Sequence, residues 1–76
     1  MHNRELLRLA EAQAANLIKQ EDDLIISLTN SLSSREYVFT VKCANELMQL
    51  DIDLENAKSV IKSLKDQIFI DSMKDA

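Results

Sequence analysis

The sequence predicts an all-α protein: an antiparallel helical hairpin of two long helices with coiled-coil-like packing. Three observations carry that expectation. From Ser33 to Ile68 the apolar residues keep a seven-residue repeat, Thr40, Leu47, Leu54, Ile61 and Ile68 in one series and Cys43, Leu50, Ala57 and Leu64 in the other. Together they form an a/d seam in which only Thr40 is polar, and such a seam hides from water only when a second helix interlocks with it. Glycine and proline are both absent, and tight hairpin turns, bulged strands and phosphate loops depend on them. A polar stretch, Ser33-Ser34-Arg35-Glu36, then separates this seam from an earlier amphipathic segment.

The first helix is expected over about residues 3–30. Asn3 can cap it, and Glu5 lies in the first turn, where the helix dipole favours negative charge. Its stripe is Leu7, Ala10, Ala14, Leu17, Ile18, Leu24, Ile25 and Leu28, spaced three and four apart. Glu21 interrupts the stripe. Burying an unpaired carboxylate is costly, so Glu21 is expected at an edge or beside a lysine. Ala10, Ala12, Ala14 and Ala15 suggest close approach by another helix.

Ser33 to Glu36 reads as a Ser-x-x-Glu capping box, with Leu32 and Tyr37 placed as a hydrophobic staple. A short connection between amphipathic helices makes them antiparallel neighbours. The second helix is expected over about residues 34–70, with a frayed tail at 71–76. Asp51-Ile52-Asp53 is its one doubtful point, since Asp53 is able to cap a separate third helix. The seam runs through without a change of phase, which favours one helix; a three-helix bundle is the alternative.

The totals bound the function. Seventy-six residues make a single domain, 1–76, and a chain this short hides only about 60% of the surface its unfolded form exposes. One cysteine and one histidine exclude an internal disulfide and disfavour a zinc site, which leaves a partner as the route to stability. The net charge of −4 disfavours nucleic acid and anionic membranes, both of which attract cationic faces. A small transcription regulator is disfavoured on the same ground. No apolar run approaches the ~20 residues of a membrane span. The start carries no apolar signal core, and the unpaired cysteine fits a reducing compartment, so a cytoplasmic location is expected.

No constellation of catalytic or ligating residues emerges. Asp51-Ile52-Asp53-Leu54-Glu55 opens like a calcium loop, but Asn56 and Lys62 stand where glycine and glutamate are needed. Glu21-Asp22-Asp23 point in different directions on a helix. Lys58, Lys62 and Lys65 read as a solvated face. Cys43 at a d position is a small buried hydrophobe, and His2 is the only imidazole. No enzyme activity, cofactor or metal is expected. The informative feature is a second stripe: Val38, Val41, Met48 and Ile52, with Asn45 in the same row, lie opposite the seam and are flanked by Tyr37 and Phe39. A row in register is a patch, and patches mark interfaces. Tyr37, Val38, Val41, Met48 and Ile52 are the candidate partner-binding residues; Leu6, Leu9 and Ile26 on the first helix are able to extend them.

An amphipathic first helix, a polar break, Tyr37 soon after it, and a second helix carrying Leu54-Glu55-Asn56-Ala57-Lys58-Ser59-Val60-Ile61 resemble the small co-chaperones of bacterial type III secretion needle subunits. The likeness spans most of the chain at the level of pattern, with a longer second helix and a loop lacking glycine as departures. It implies an adaptor that packs on a tetratricopeptide-like helical chaperone, which keeps the needle subunit soluble before export. The alternative from the residues themselves is a homo-oligomeric coiled-coil protein, structural or regulatory, that uses the same stripe on itself.

Overall fold

The computed structural model describes residues 2–74. Two helices, α1 (His2–Ser33) and α2 (Tyr37–Lys74), pack antiparallel into a rod of 61 × 14 × 13 Å. There is no strand among the described residues.

All nine seam residues of α2 turn inward. Cys43 and Leu54 are buried, and Thr40, Leu47, Leu50, Ala57, Ile61, Leu64 and Ile68 are partly buried. A hydroxyl contact of 2.7 Å between Ser31 and Thr40 sets the register beside the turn. Continuing that register in steps of three and four on both helices places Leu28 with Cys43, Leu24 with Leu47, Glu21 with Leu50, Leu17 with Leu54, and Ala14 with Ala57. The core is centred on the last two of these layers, where Ala14, Leu17 and Leu54 pack with Leu50, Ala57 and Ile61. Alanine faces alanine there, so the helices approach closely. Ala10 and Ala14 take part in this; Ala12 and Ala15 are exposed. At the open end the Asn3 side-chain amide donates to Asp71 Oδ2 at 3.4 Å.

α2 is one helix through Asp51-Ile52-Asp53, so the three-helix alternative is not adopted. Leu50 and Leu54 both hold to α1, and Gln49 Nε2 donates to Asp53 Oδ1 at 3.1 Å across one helical turn. With both flanking leucines anchored, Asp53 has no freedom to leave the helix and act as a cap. α2 is helical through Lys74, over part of the tail expected from residue 71; Asp75 and Ala76 lie outside the described residues. Asn3 is inside α1 and not at its cap.

The turn is built differently from the expected capping box. α1 runs on to Ser33, three residues past its expected end. The Glu36 amide donates to the Ser31 carbonyl at 2.8 Å and the Arg35 amide to the Leu32 carbonyl at 3.1 Å. These two bonds are a Schellman closure of α1. Glu36 then caps α2 with its backbone, its carbonyl accepting from the Thr40 amide at 2.9 Å. The Glu36 amide is therefore taken before the Ser33 hydroxyl can use it. With Glu36 as the N-cap, Leu32 and Tyr37 no longer stand at the N′ and N4 positions of a staple, and each is more than half exposed.

The closure needs a left-handed residue, and Arg35 supplies it with φ of 60°. An L-residue pays roughly 1 kcal/mol there that glycine does not. Arg35→Gly should therefore stabilise the hairpin by about 0.5–1 kcal/mol, and Arg35→Val should destabilise it by about as much or more. The check is the urea midpoint at unchanged m-value.

Candidate functional site

With one face of each helix committed to the other, the remaining faces meet solvent. On α2 the outer row begins beside the turn: Val38 is 89% exposed, Val41 59%, Met48 67% and Ile52 55%. Asn45 stands exposed in the middle of the row. Tyr37 borders it and is more than half exposed, and Phe39, nearly half exposed, lies toward the other flank of α2. Together with Arg35, Glu36, Val38 and Lys42 these two aromatics line an open hollow of about 600 Å³ at the turn. The structure thus brings all five sequence-designated residues onto one continuous surface of the turn-proximal half of α2, none of it covered by α1.

The row has an end. Past Ile52 the same helical positions carry Glu55, Ser59, Lys62 and Asp66, and then Phe69 and Met73, 65% and 62% exposed. Phe69 and Met73 were missed by the sequence reading, although the spacing that found Val38 and Met48 also reaches them. Ile70, about half exposed, lies beside them toward the open end, while Val60, also half exposed, borders the inter-helix groove on another side of α2.

On α1 the stripe proves narrower than expected. Leu7, Ala10, Ala14, Leu17, Leu24 and Leu28 turn inward, but Ile18 and Ile25 remain nearly half exposed. A single neighbouring helix covers only the a and d positions, and these two isoleucines follow Leu17 and Leu24 by one residue, at the margin of the contact. Leu6, Leu9 and Ile26 are exposed as well.

Three polar features sit in or beside the seam. Ser31, 2% exposed, shares two hydroxyl hydrogens with Thr40 over three acceptor contacts. Either Thr40 donates to Ser31 and Ser31 to the Leu28 carbonyl, or Ser31 donates to Thr40 and Thr40 to the Glu36 carbonyl. Glu21 occupies a seam position opposite Leu50, partly buried, and its Oε2 is enclosed without a hydrogen-bond partner. It has no lysine beside it; among the described residues the one ion pair is Glu55 with Lys58, 3.5 Å apart and well exposed. Such a pair contributes a few tenths of a kcal/mol at most. Cys43 is a free thiol, 3% exposed.

A shallow groove of about 280 Å³ runs between the helices where the alanines meet, bordered by Gln13, Leu17, Asp53, Asn56 and Val60. Among the described residues no three histidine, cysteine, aspartate or glutamate side chains gather as metal ligands, and no helix is long and apolar enough to cross a membrane. His2 and Cys43 lie toward opposite ends of the rod.

Fold and surface define a class, the antiparallel helical hairpin with an unpartnered apolar face beside its turn. No protein-family model matches the chain, and neither a curated protein nor a solved structure matches it.

Proposed function

We propose that the chain is a protein-binding adaptor that lays the outer face of α2 into an apolar groove of a larger helical partner. One observation carries the reading: Val38, Val41, Met48 and Ile52 stand in helical register and are all more than half exposed, while the seam on the other side of the same helix is taken by α1. An amphipathic helix presenting aliphatic anchors at this spacing is the ligand half of helix-in-groove recognition. The thin core of the hairpin fits a chain that gains stability from what it binds. The resemblance to needle-subunit co-chaperones extends the proposal to a tetratricopeptide-like chaperone as the partner and to the cytoplasm as the place of action. That extension is supported by the pattern of helix, polar break, Tyr37 and the Leu54–Ile61 segment.

Met48→Asp is the test. A carboxylate in the centre of an apolar contact should weaken partner binding about 100-fold, a loss of roughly 3 kcal/mol. The isolated chain should keep its far-UV circular dichroism, because Met48 touches solvent. The tagged wild-type chain is expected to hold a helical-repeat protein in stoichiometric amount from its host, and Met48→Asp to lose it. Equal retention by the variant overturns the docking face.

A further inference from the structure

We propose that, in the absence of another partner, the outer face of α2 closes on a second copy of the chain, antiparallel, with the two-fold axis at Asn45. The inference rests on the same face as the adaptor reading and names its occupant in the free protein.

The row reads alike in both directions. Asn45 has Val38 and Val41 on one side and Met48 and Ile52 on the other, at near-equal distances. Turning a second α2 end for end about Asn45 sets Val38 against Ile52 of the other copy and Val41 against its Met48. Asn45, the only polar side chain in that span of the row, then meets its own equivalent. A carboxamide carries both donor and acceptor, so two of them related by a two-fold axis can exchange hydrogen bonds. A lone asparagine in an apolar helix contact also fixes register.

Charge chooses the direction. Side by side in parallel, the row would continue into Glu55 on Glu55, Lys62 on Lys62 and Asp66 on Asp66, and like charges directly opposite are destabilising. The antiparallel pairing ends before them. Tyr37 of one copy lies opposite Asp53 of the other, so the polar part of each row projects past its neighbour's turn into solvent. The overlap matches the apolar stretch. On its margins Lys42 falls beside Gln49, Asp51 beside Tyr37, and Ala44 beside Ala44, which lets the backbones approach without opposing like charges.

The assembly has a distinctive shape. Two 61 Å rods overlapping over some eighteen residues at 1.5 Å each should give a particle about 95 Å long, whereas parallel rods would remain near 61 Å. Sedimentation equilibrium and small-angle scattering of the wild-type chain are the primary test. The expected result is a mass of twice 8.7 kDa at micromolar to submillimolar concentration, with a maximum dimension near the longer value. A monomer throughout, or a compact dimer near the shorter value, overturns the proposal. Cysteine crosslinking reads direction independently. With Cys43→Ala as background and circular dichroism confirming the fold, Asn45→Cys should oxidise to a linked dimer and Ile52→Cys should not. Linkage of both with equal ease overturns the antiparallel pairing. A monomeric wild-type chain that still binds a helical-repeat protein through Met48 would sink the self-pairing alone. A dimer that persists in Met48→Asp would sink the self-pairing through this face, and the adaptor reading stands or falls separately on partner retention.

Discussion

Leu54→Ala should leave the hairpin largely unfolded at room temperature. Leu54 is 7% exposed and packs with Ala14 and Leu17 at the centre of the core. Truncating a buried leucine costs about 2–4 kcal/mol through lost burial and the cavity left behind. A domain of this size rarely holds more than about 3–5 kcal/mol in all, so one substitution removes most of it. The seam offers little compensation, because its neighbouring layer is already alanine on alanine. Ile52→Ala, two residues away but on the outer face at 55% exposure, should change stability by less than about 0.5 kcal/mol at concentrations where the chain is monomeric. Thermal and urea unfolding followed by circular dichroism compares the two directly. Equal effects would mean that α2 is rotated from the orientation described.

Glu21→Leu should act in the opposite sense and raise stability by about 1–3 kcal/mol. It removes an enclosed carboxylate oxygen that has no partner and sets leucine against Leu50 in a seam that is apolar on both sides. For a domain of this length that corresponds to roughly 5–15 °C in Tm. Glu21→Gln is the informative companion. It keeps the shape and the polar group but removes the charge, and should recover only part of the gain. If neither variant is more stable than wild type, the carboxylate reaches water in solution.

Much of the architecture was legible in the chain, for a physical reason. The seven-residue repeat on α2 is narrow, unbroken and nearly all aliphatic, so only one rotation of that helix hides it; each seam residue from Thr40 to Ile68 turned inward as expected. The exposed row was legible by the same arithmetic, since a helix with one neighbour cannot cover two opposite faces. α1 was harder to read. Leu17 and Ile18, like Leu24 and Ile25, are adjacent aliphatic pairs that a 3.6-residue period does not separate, and α2 decides which member goes inside. The path through Leu17 and Leu24 carries Glu21 with it, which residue-by-residue reasoning about burial would place elsewhere.

The turn shows the limit most sharply. Ser33 and Glu36 have the spacing of a capping box, and local hydrogen-bond chemistry alone favours it. The tertiary contact favours a different arrangement. Placing Ser31 opposite Thr40 draws the chain back after Ser33, sends the Glu36 amide to the Ser31 carbonyl, and forces Arg35 to a φ of 60° in a sequence with no glycine to accept it.

Whether α2 breaks at Asp51-Ile52-Asp53 was decided by its contacts with α1. The sequence by itself determined that this protein is all-α, that its amphipathic segments pair antiparallel, and that the Val38 to Ile52 row is left over once they pair. These follow from periodicity and from residues the chain lacks, and both are properties of a single strand of sequence. Only the tertiary structure decided the helix ends, the placing of Glu21 in the seam, and the outward turn of Ile18 and Ile25. Each of these depends on register, and register is set by what the opposite helix presents at the same level.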